Sequence, residues 1–149
     1  MKTRALLPVL ILLGGCVTDA ALRKLTLEDE VMDADRAFAA DVQQRRLEGW
    51  VAAFDEHGSQ VDEKGAPVSG HDAIRAYMKG AFDDPKFQLS WEPVEASVPE
   101  EGKLGFCWGR WTLRSGAQES HGHYLDIWKR GADGKWRLYF DVGEDQKPR

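Results

Sequence analysis

The apolar residues of this chain change their repeat at Phe87, and that change dictates most of what the chain can become. Before it, apolar positions recur every three or four residues; after it, they alternate. A repeat near 3.6 gives a helix with one buried face, and a repeat of two gives a strand with one buried face. In the first half, Leu27, Val31, Ala34, Phe38 and Val42 form a helical stripe, with Thr26-Leu27-Glu28-Asp29 as a capping-box variant and Thr26 as its N-cap. Leu47, Trp50, Val51 and Phe54 predict a second, short helix that stops at Gly58. Residues 59–68 predict a small hairpin around Glu63-Lys64-Gly65. Ser69-Gly70-His71-Asp72 then caps a third helix, with Ile74, Tyr77, Met78 and Phe82 on one side, closed by Asp83-Asp84-Pro85.

The second half predicts four strands, at 87–98, 104–114, 118–129 and 136–142. Pro99-Glu100-Glu101-Gly102, Ser115-Gly116 and Gly131-Ala132-Asp133-Gly134 supply turns between them. Long strands joined by short loops form an antiparallel meander. The expected class is α+β, with three N-terminal helices packed on one face of a curved antiparallel sheet.

Composition narrows the reading. At 149 residues and 42% apolar, the chain is one domain's worth and buries roughly two thirds of its unfolded surface. Its formal net charge of -5 repels phosphate backbones, which argues against nucleic acid as a partner. Two Cys cannot build a disulfide framework. Six Trp are many for this length, and such large rings need a core or a pocket.

The start of the chain reads as an address. Lys2 and Arg4 precede an apolar run from Ala5 to Leu13, and then comes Gly14-Gly15-Cys16. The run is too short to span a bilayer and has the layout of a secretory signal. Leu13-Gly14-Gly15-Cys16 resembles the bacterial lipobox, in which the Cys is lipidated and becomes the first residue of the mature protein. Residue +2 is Val17 rather than Asp, which resembles the pattern of proteins sent to the outer membrane, facing the periplasm. The expected organisation is a signal peptide at 1–15, a tether at 16–25, a domain at 26–145 and a tail at 146–149. Cleavage removes two cations, and Cys107 is left as a free thiol, expected to be buried and inert.

Two stretches carry a family likeness. One is Leu47-Glu48-Gly49-Trp50-Val51-Ala52-Ala53-Phe54, followed by polar residues, a short strand and Ser69-Gly70-x-x-Ala73-Ile74-Arg75. The other is Gly122-His123-Tyr124-Leu125-Asp126-Ile127-Trp128, a turn, Gly134-Lys135-Trp136-Arg137 and Asp141-Val142-Gly143. With the order of elements, they resemble the superfamily of nuclear transport factor two, ketosteroid isomerase and the SnoaL-like polyketide cyclases, over about residues 27–144. That likeness implies a cone-shaped fold. It implies little about activity, because the scaffold hosts enzymes, binders and assembly modules alike.

Ketosteroid isomerases use an Asp base, with a neutral Asp and a Tyr as oxyanion donors. The resemblance assigns Asp62 to the base and Asp126 to the acid, whereas the Tyr position falls on Phe38, which cannot donate a hydrogen bond. Alternation puts Tyr124 and Trp128 on the same strand face as Asp126, a setting that favours a protonated carboxyl. Asp62 also reads as part of an acidic turn, and Asp126 as an ion-pair partner of Arg110 or Arg137. The residues expected to line a ligand cavity are Phe38, Trp50, Tyr77, Trp108, Arg110, Tyr124 and Trp128. Trp108 and Trp111 lie on opposite faces of one strand, so only one of them can face a shared cavity. Asp141 fits either the cavity mouth or a turn cap. His121 and His123 share the face opposite Asp126 and have no third ligand by spacing, so no metal is assigned. No phosphate loop, nucleophile elbow or dinucleotide fingerprint occurs, and no cofactor is expected. The expected function is a membrane-anchored envelope protein binding a small, largely apolar ligand. A cofactor-free isomerase or cyclase is the alternative, and a module forming a homodimer or complex through its sheet is a third.

Overall fold

The computed structural model of the chain describes residues 18–99 and 101–146. The expected signal peptide, the expected lipidation site Cys16 and the last three residues of the expected tail lie outside the described residues. In chain order the elements are α1 (Asp19–Arg45), α2 (Leu47–Ala53), β1 (Phe54–Val61), β2 (Pro67–Ser69), α3 (His71–Asp83), β3 (Phe87–Ser97), β4 (Leu104–Ser115), β5 (Gln118–Arg130) and β6 (Trp136–Asp145). The strands form one curved six-stranded sheet ordered β2-β1-β6-β5-β4-β3, covered by the helices. The meander from β3 to β6 is antiparallel throughout, as its short turns require. The hairpin of β1 and β2 joins it by a parallel pairing of β1 with β6, so the sheet is mixed. Alternation along a strand fixes its faces, not its neighbour across the sheet, so a parallel pairing of this kind has no local sign in the sequence.

The helix boundaries differ from those expected. Thr18, not Thr26, caps α1: its side chain accepts from the Ala21 N–H at 3.3 Å. Thr26 lies in mid-helix and bonds back to the Leu22 carbonyl at 3.0 Å. Residues 19–25, expected as tether, are therefore the exposed first turns of this helix. The buried stripe of α1 is Leu27, Val31, Asp35, Phe38 and Val42, so a carboxyl occupies a place among the apolar side chains. Phe54, expected on the second helix, is the first residue of β1. Gly70 stands at the N-cap of α3 without a side-chain cap, while the Ser69 hydroxyl pairs with that of Ser59 at 2.8 Å.

Arg46 separates α1 from α2 with φ 52°, a left-handed conformation unusual for a residue with a Cβ. Its guanidinium compensates by donating to the Phe82 carbonyl at 2.7 Å and the Asp84 carbonyl at 3.1 Å, which holds the end of α3. Val31, Phe38 and Val42 meet Trp50, Val51, Phe54, Ile74 and Phe82, and the other side of this core is Val98, Cys107, Trp128 and Leu138 of the sheet side. Apolar burial of this extent is the main source of stability in a domain of this size.

Candidate functional site

Two inward-facing glycines shape the concave side of the sheet. A Cβ on Gly109 would stand 2.5 Å from the Tyr124 hydroxyl, and one on Gly122 would stand 2.3 Å from the Trp111 ring. The missing side chains let Tyr124 and Trp111 lie across neighbouring strands. Between these rings and the helices is a pocket of about 200 Å³, lined by Phe38, Trp50, Phe87, Leu89, Trp91, Trp111, Leu113, Tyr124, Asp126, Asp141 and Gly143. Most of the wall is aromatic or aliphatic, and the polar groups are gathered on β5 and β6. The volume falls below the roughly 300 Å³ at which drug-sized sites begin, so the space suits a smaller ligand.

The polar groups belong to a buried carboxyl cluster. Asp126 and Asp141 stand directly opposite each other on β5 and β6, and Asp126 is opposite Cys107 on β4. Asp35 reaches the cluster from α1. Its Oδ1 accepts from Trp91 Nε1 at 2.9 Å and from the Tyr124 hydroxyl at 3.1 Å. Asp35 is 0% exposed and Asp126 2%, yet neither takes part in an ion pair among the described residues. Asp35 Oδ2 and Asp126 Oδ1 have no hydrogen-bond partner there. Burial, reinforced by the carboxyls of Asp141 and Asp35, holds the Asp126 pKa well above the carboxylate range. Burial raises Asp35 too, offset in part by hydrogen bonds from Cys107, Tyr124 and Trp91. Asp141 is raised to about 6, again mainly by burial. Burial also pushes the Cys107 thiol and the Tyr124 phenol upward, with the nearby carboxyls adding to it, so both stay neutral. Asp126 therefore keeps its proton to a higher pH than an ordinary carboxyl and can share it with Asp141 by a hydrogen bond.

Phe38, Trp50, Tyr124 and Asp126, all singled out from the sequence, meet on this pocket. Trp128 does not line it: the ring is buried beneath, with its centroid 6.3 Å from that of Phe38. Trp108 and Arg110 point to the outer face of the sheet, where Trp108 Nε1 donates to Glu95 at 3.3 Å. Tyr77 is exposed on α3 and donates to Glu63 at 2.5 Å. Asp62 follows β1 in the hairpin turn, where its Oδ1 accepts from the Lys64 N–H at 2.9 Å and the Ala66 N–H at 2.7 Å. A carboxylate committed to two turn amides and absent from the pocket wall does not converge with Asp126. His121 and His123 are exposed on the outer face, and no group of three or more metal-ligating side chains occurs among the described residues.

The sequence reading missed Asp35, and it did not choose Trp91, Trp111 or Asp141. Two signals were available. Asp35 lies four residues after Val31 and three before Phe38, so it falls on the buried stripe. A buried Cys107 puts Trp111, and not Trp108, on the inner face by alternation. The placement of Asp141 needed the β5–β6 register, which no single strand contains.

Residues 35–139 match the family model described as the SnoaL-like domain. No curated protein matches the chain by sequence. Several solved structures share the fold. A ketosteroid isomerase-like protein from Erwinia carotovora atroseptica superposes with a TM-score of 0.69 at 15% identity, over 80% of this chain and 96% of that one. A domain of unknown function with a cystatin-like fold from Nostoc punctiforme gives 0.67 at 17% identity, over 80% and 77%. A nuclear transport factor 2-like superfamily protein from Salmonella enterica gives 0.65 at 13% identity, over 83% and 94%. At these identities the likeness is one of fold.

Proposed function

The chain belongs to the SnoaL-like family, and from that premise we propose that it binds a small, largely apolar ligand in the pocket between the helices and the concave side of the sheet. One observation carries the reading: Phe38, Trp50 and Trp91 pack on one another as one wall, and beside them, toward Phe87 and Trp111, a space of about 200 Å³ stays open and ends at a polar patch. Pockets of this composition, apolar walls with a few convergent polar groups, are where proteins hold small molecules. The indole N–H groups of Trp50, Trp91 and Trp111 are bonded to Gln60, Asp35 and the His123 carbonyl, which fixes the rings as walls before a ligand arrives. Walls set in advance spare the ligand the entropy of ordering them.

The test is titration of the protein with indole and with 2-naphthol, followed by the indole ¹H–¹⁵N signals. Binding should move the signals of Trp50, Trp91 and Trp111 and leave Trp108, on the outer face, in place. A Leu89→Trp variant should fill the space and abolish the shifts. Shifts at Trp108 alone, or none with either ligand, overturn the reading.

A second reading concerns the outer face. Phe106, Ile127 and Phe140 lie side by side across β4, β5 and β6, and Trp108, Leu125 and Val142 form the next row. Phe106, Trp108, Leu125 and Tyr139 are exposed. Contiguous exposed apolar rows of this kind mark protein contacts, and a second copy of this chain is the partner we propose. The same proposal places the domain on a membrane through a lipid on Cys16, supported by the short apolar run that precedes it.

A further inference from the structure

We infer that the ligand of this pocket is a small cationic amine with a ring-bearing apolar body, its ammonium held between Asp126 and Asp141. The inference rests on the ligand-binding reading above and names the class of ligand. Its first support is geometric. Two carboxyls from facing positions on adjacent strands stand on one wall of an otherwise aromatic pocket, with a third, Asp35, behind them. Its second support is an unmet bond. Asp126 is 2% exposed, lines the pocket, and has an Oδ1 without a donor among the described residues. One shared proton serves the hydrogen bond between Asp126 and Asp141 and leaves their other lone pairs without donors, whereas a primary ammonium brings three donors and a positive charge.

Among the described residues, no lysine or arginine forms an ion pair with Asp35, Asp126 or Asp141. The described lysine and arginine ion pairs involve other acids, the nearest in sequence being Arg36 with Asp33 and Glu92. A buried acidic pair without a counter-charge is costly, and an ammonium offsets that cost where a neutral or anionic ligand does not. The walls add to the preference, because the faces of Trp50, Trp91, Trp111 and Phe87 attract an organic cation through their quadrupoles. The available volume limits the body to about one ring system and a short chain.

Binding should also be linked to protons. The titratable groups facing the ammonium site are Asp126 and Tyr124 from β5, Asp141 from β6, Asp35 from α1 and Cys107 from β4. Tyr124 and Cys107 remain neutral across the working range, so the carboxyls alone respond. An ammonium seated between them displaces the proton they hold, and this proton passes to the buffer.

The experiment uses phenethylamine, its neutral near-isostere 2-phenylethanol and the anion phenylacetate, titrated calorimetrically into the full domain at pH 7.5. Measurements in two buffers of different ionisation enthalpy read the protons released. We expect phenethylamine to bind about tenfold or more tighter than 2-phenylethanol, phenylacetate not to bind, and the amine to release protons. Asp141→Asn should bring the amine down to the level of the alcohol while thermal melting confirms the fold. The proton count on the unaltered chain serves as the measurement that needs no variant. Equal binding of amine and alcohol, or amine binding without proton release, overturns the inference and leaves the pocket reading standing if indole or 2-naphthol binds. If none of these compounds binds, both readings fall.

Discussion

Asp35 shows how one residue can set the chemistry of a site while lying behind it. On the buried stripe of α1 it binds Trp91 and Tyr124, two rings of the pocket wall, and its charge bears on Asp126. The carboxyl cluster gives the fold an uncommon pH response. Between about pH 4, where an ordinary carboxyl ionises, and the raised values of Asp126 and Asp141, the folded chain holds protons that the unfolded chain has released. Stability must then fall as pH rises through that window, the reverse of what an ion-paired carboxylate gives. Asp41, Asp55 and Glu119, whose pKa values are lowered, act only below the same window. Thermal melting should show a midpoint at pH 5 above that at pH 8 by about 4 °C or more, the equivalent of about 1 kcal/mol in a domain of this size. Asp126→Asn, a neutral mimic of the protonated acid, should flatten the difference; an unchanged slope would assign it to other groups. At Gly122 the limit is space. Gly122→Ala places a methyl against the Glu144 carbonyl and the Trp111 ring, and should cost about 1–3 kcal/mol in urea unfolding while weakening ligand binding by displacing Trp111.

At the scale of elements, the junction of α1 with α2 decides where the helical layer sits. Gly49 permits the close approach: a Cβ there would stand 2.5 Å from the Asp41 carbonyl oxygen. Arg46 turns the chain at positive φ and fastens α3 by two hydrogen bonds. Arg46→Ala loses both bonds and keeps the unfavourable backbone, so unfolding should show a loss of about 2 kcal/mol. Arg46→Gly loses the bonds and relieves the backbone, and should cost about 1 kcal/mol less than the Ala variant; equal losses would mean that the backbone conformation carries no strain. The strands behaved differently from the helices under sequence reading. β3, β4, β5 and β6 begin at the residues that alternation predicts, because Gly-rich turns punctuate them sharply. Helix ends were less legible. Thr18 and Thr26 are both competent caps, and only the contacts of the chain choose between them.

At the scale of the whole molecule, the two faces of the sheet differ in kind. The concave face carries the pocket, and the outer face carries the Phe106 and Trp108 rows. Leu125→Lys places a charge in the second row, and sedimentation should show a dimer become monomer with the thermal midpoint of the monomer little changed; a wild-type chain that sediments as a monomer at high concentration overturns that contact. The proposed membrane attachment belongs to the same scale. Cys16→Ser should move the protein from the membrane fraction to the soluble one, and equal partitioning of both forms would exclude the lipid. The sequence by itself determined the class of fold, the starts of the four meander strands and the company of Tyr124 and Asp126 on one face, because periodicity and turn chemistry are local properties of the chain. Only the tertiary structure decided that Asp35, Asp126 and Asp141 form one cluster, that Trp111 and not Trp108 faces the pocket, and that Asp62 serves a turn. Those facts depend on cross-strand register and on how a helix is laid over a sheet, relations between distant residues that no local pattern encodes.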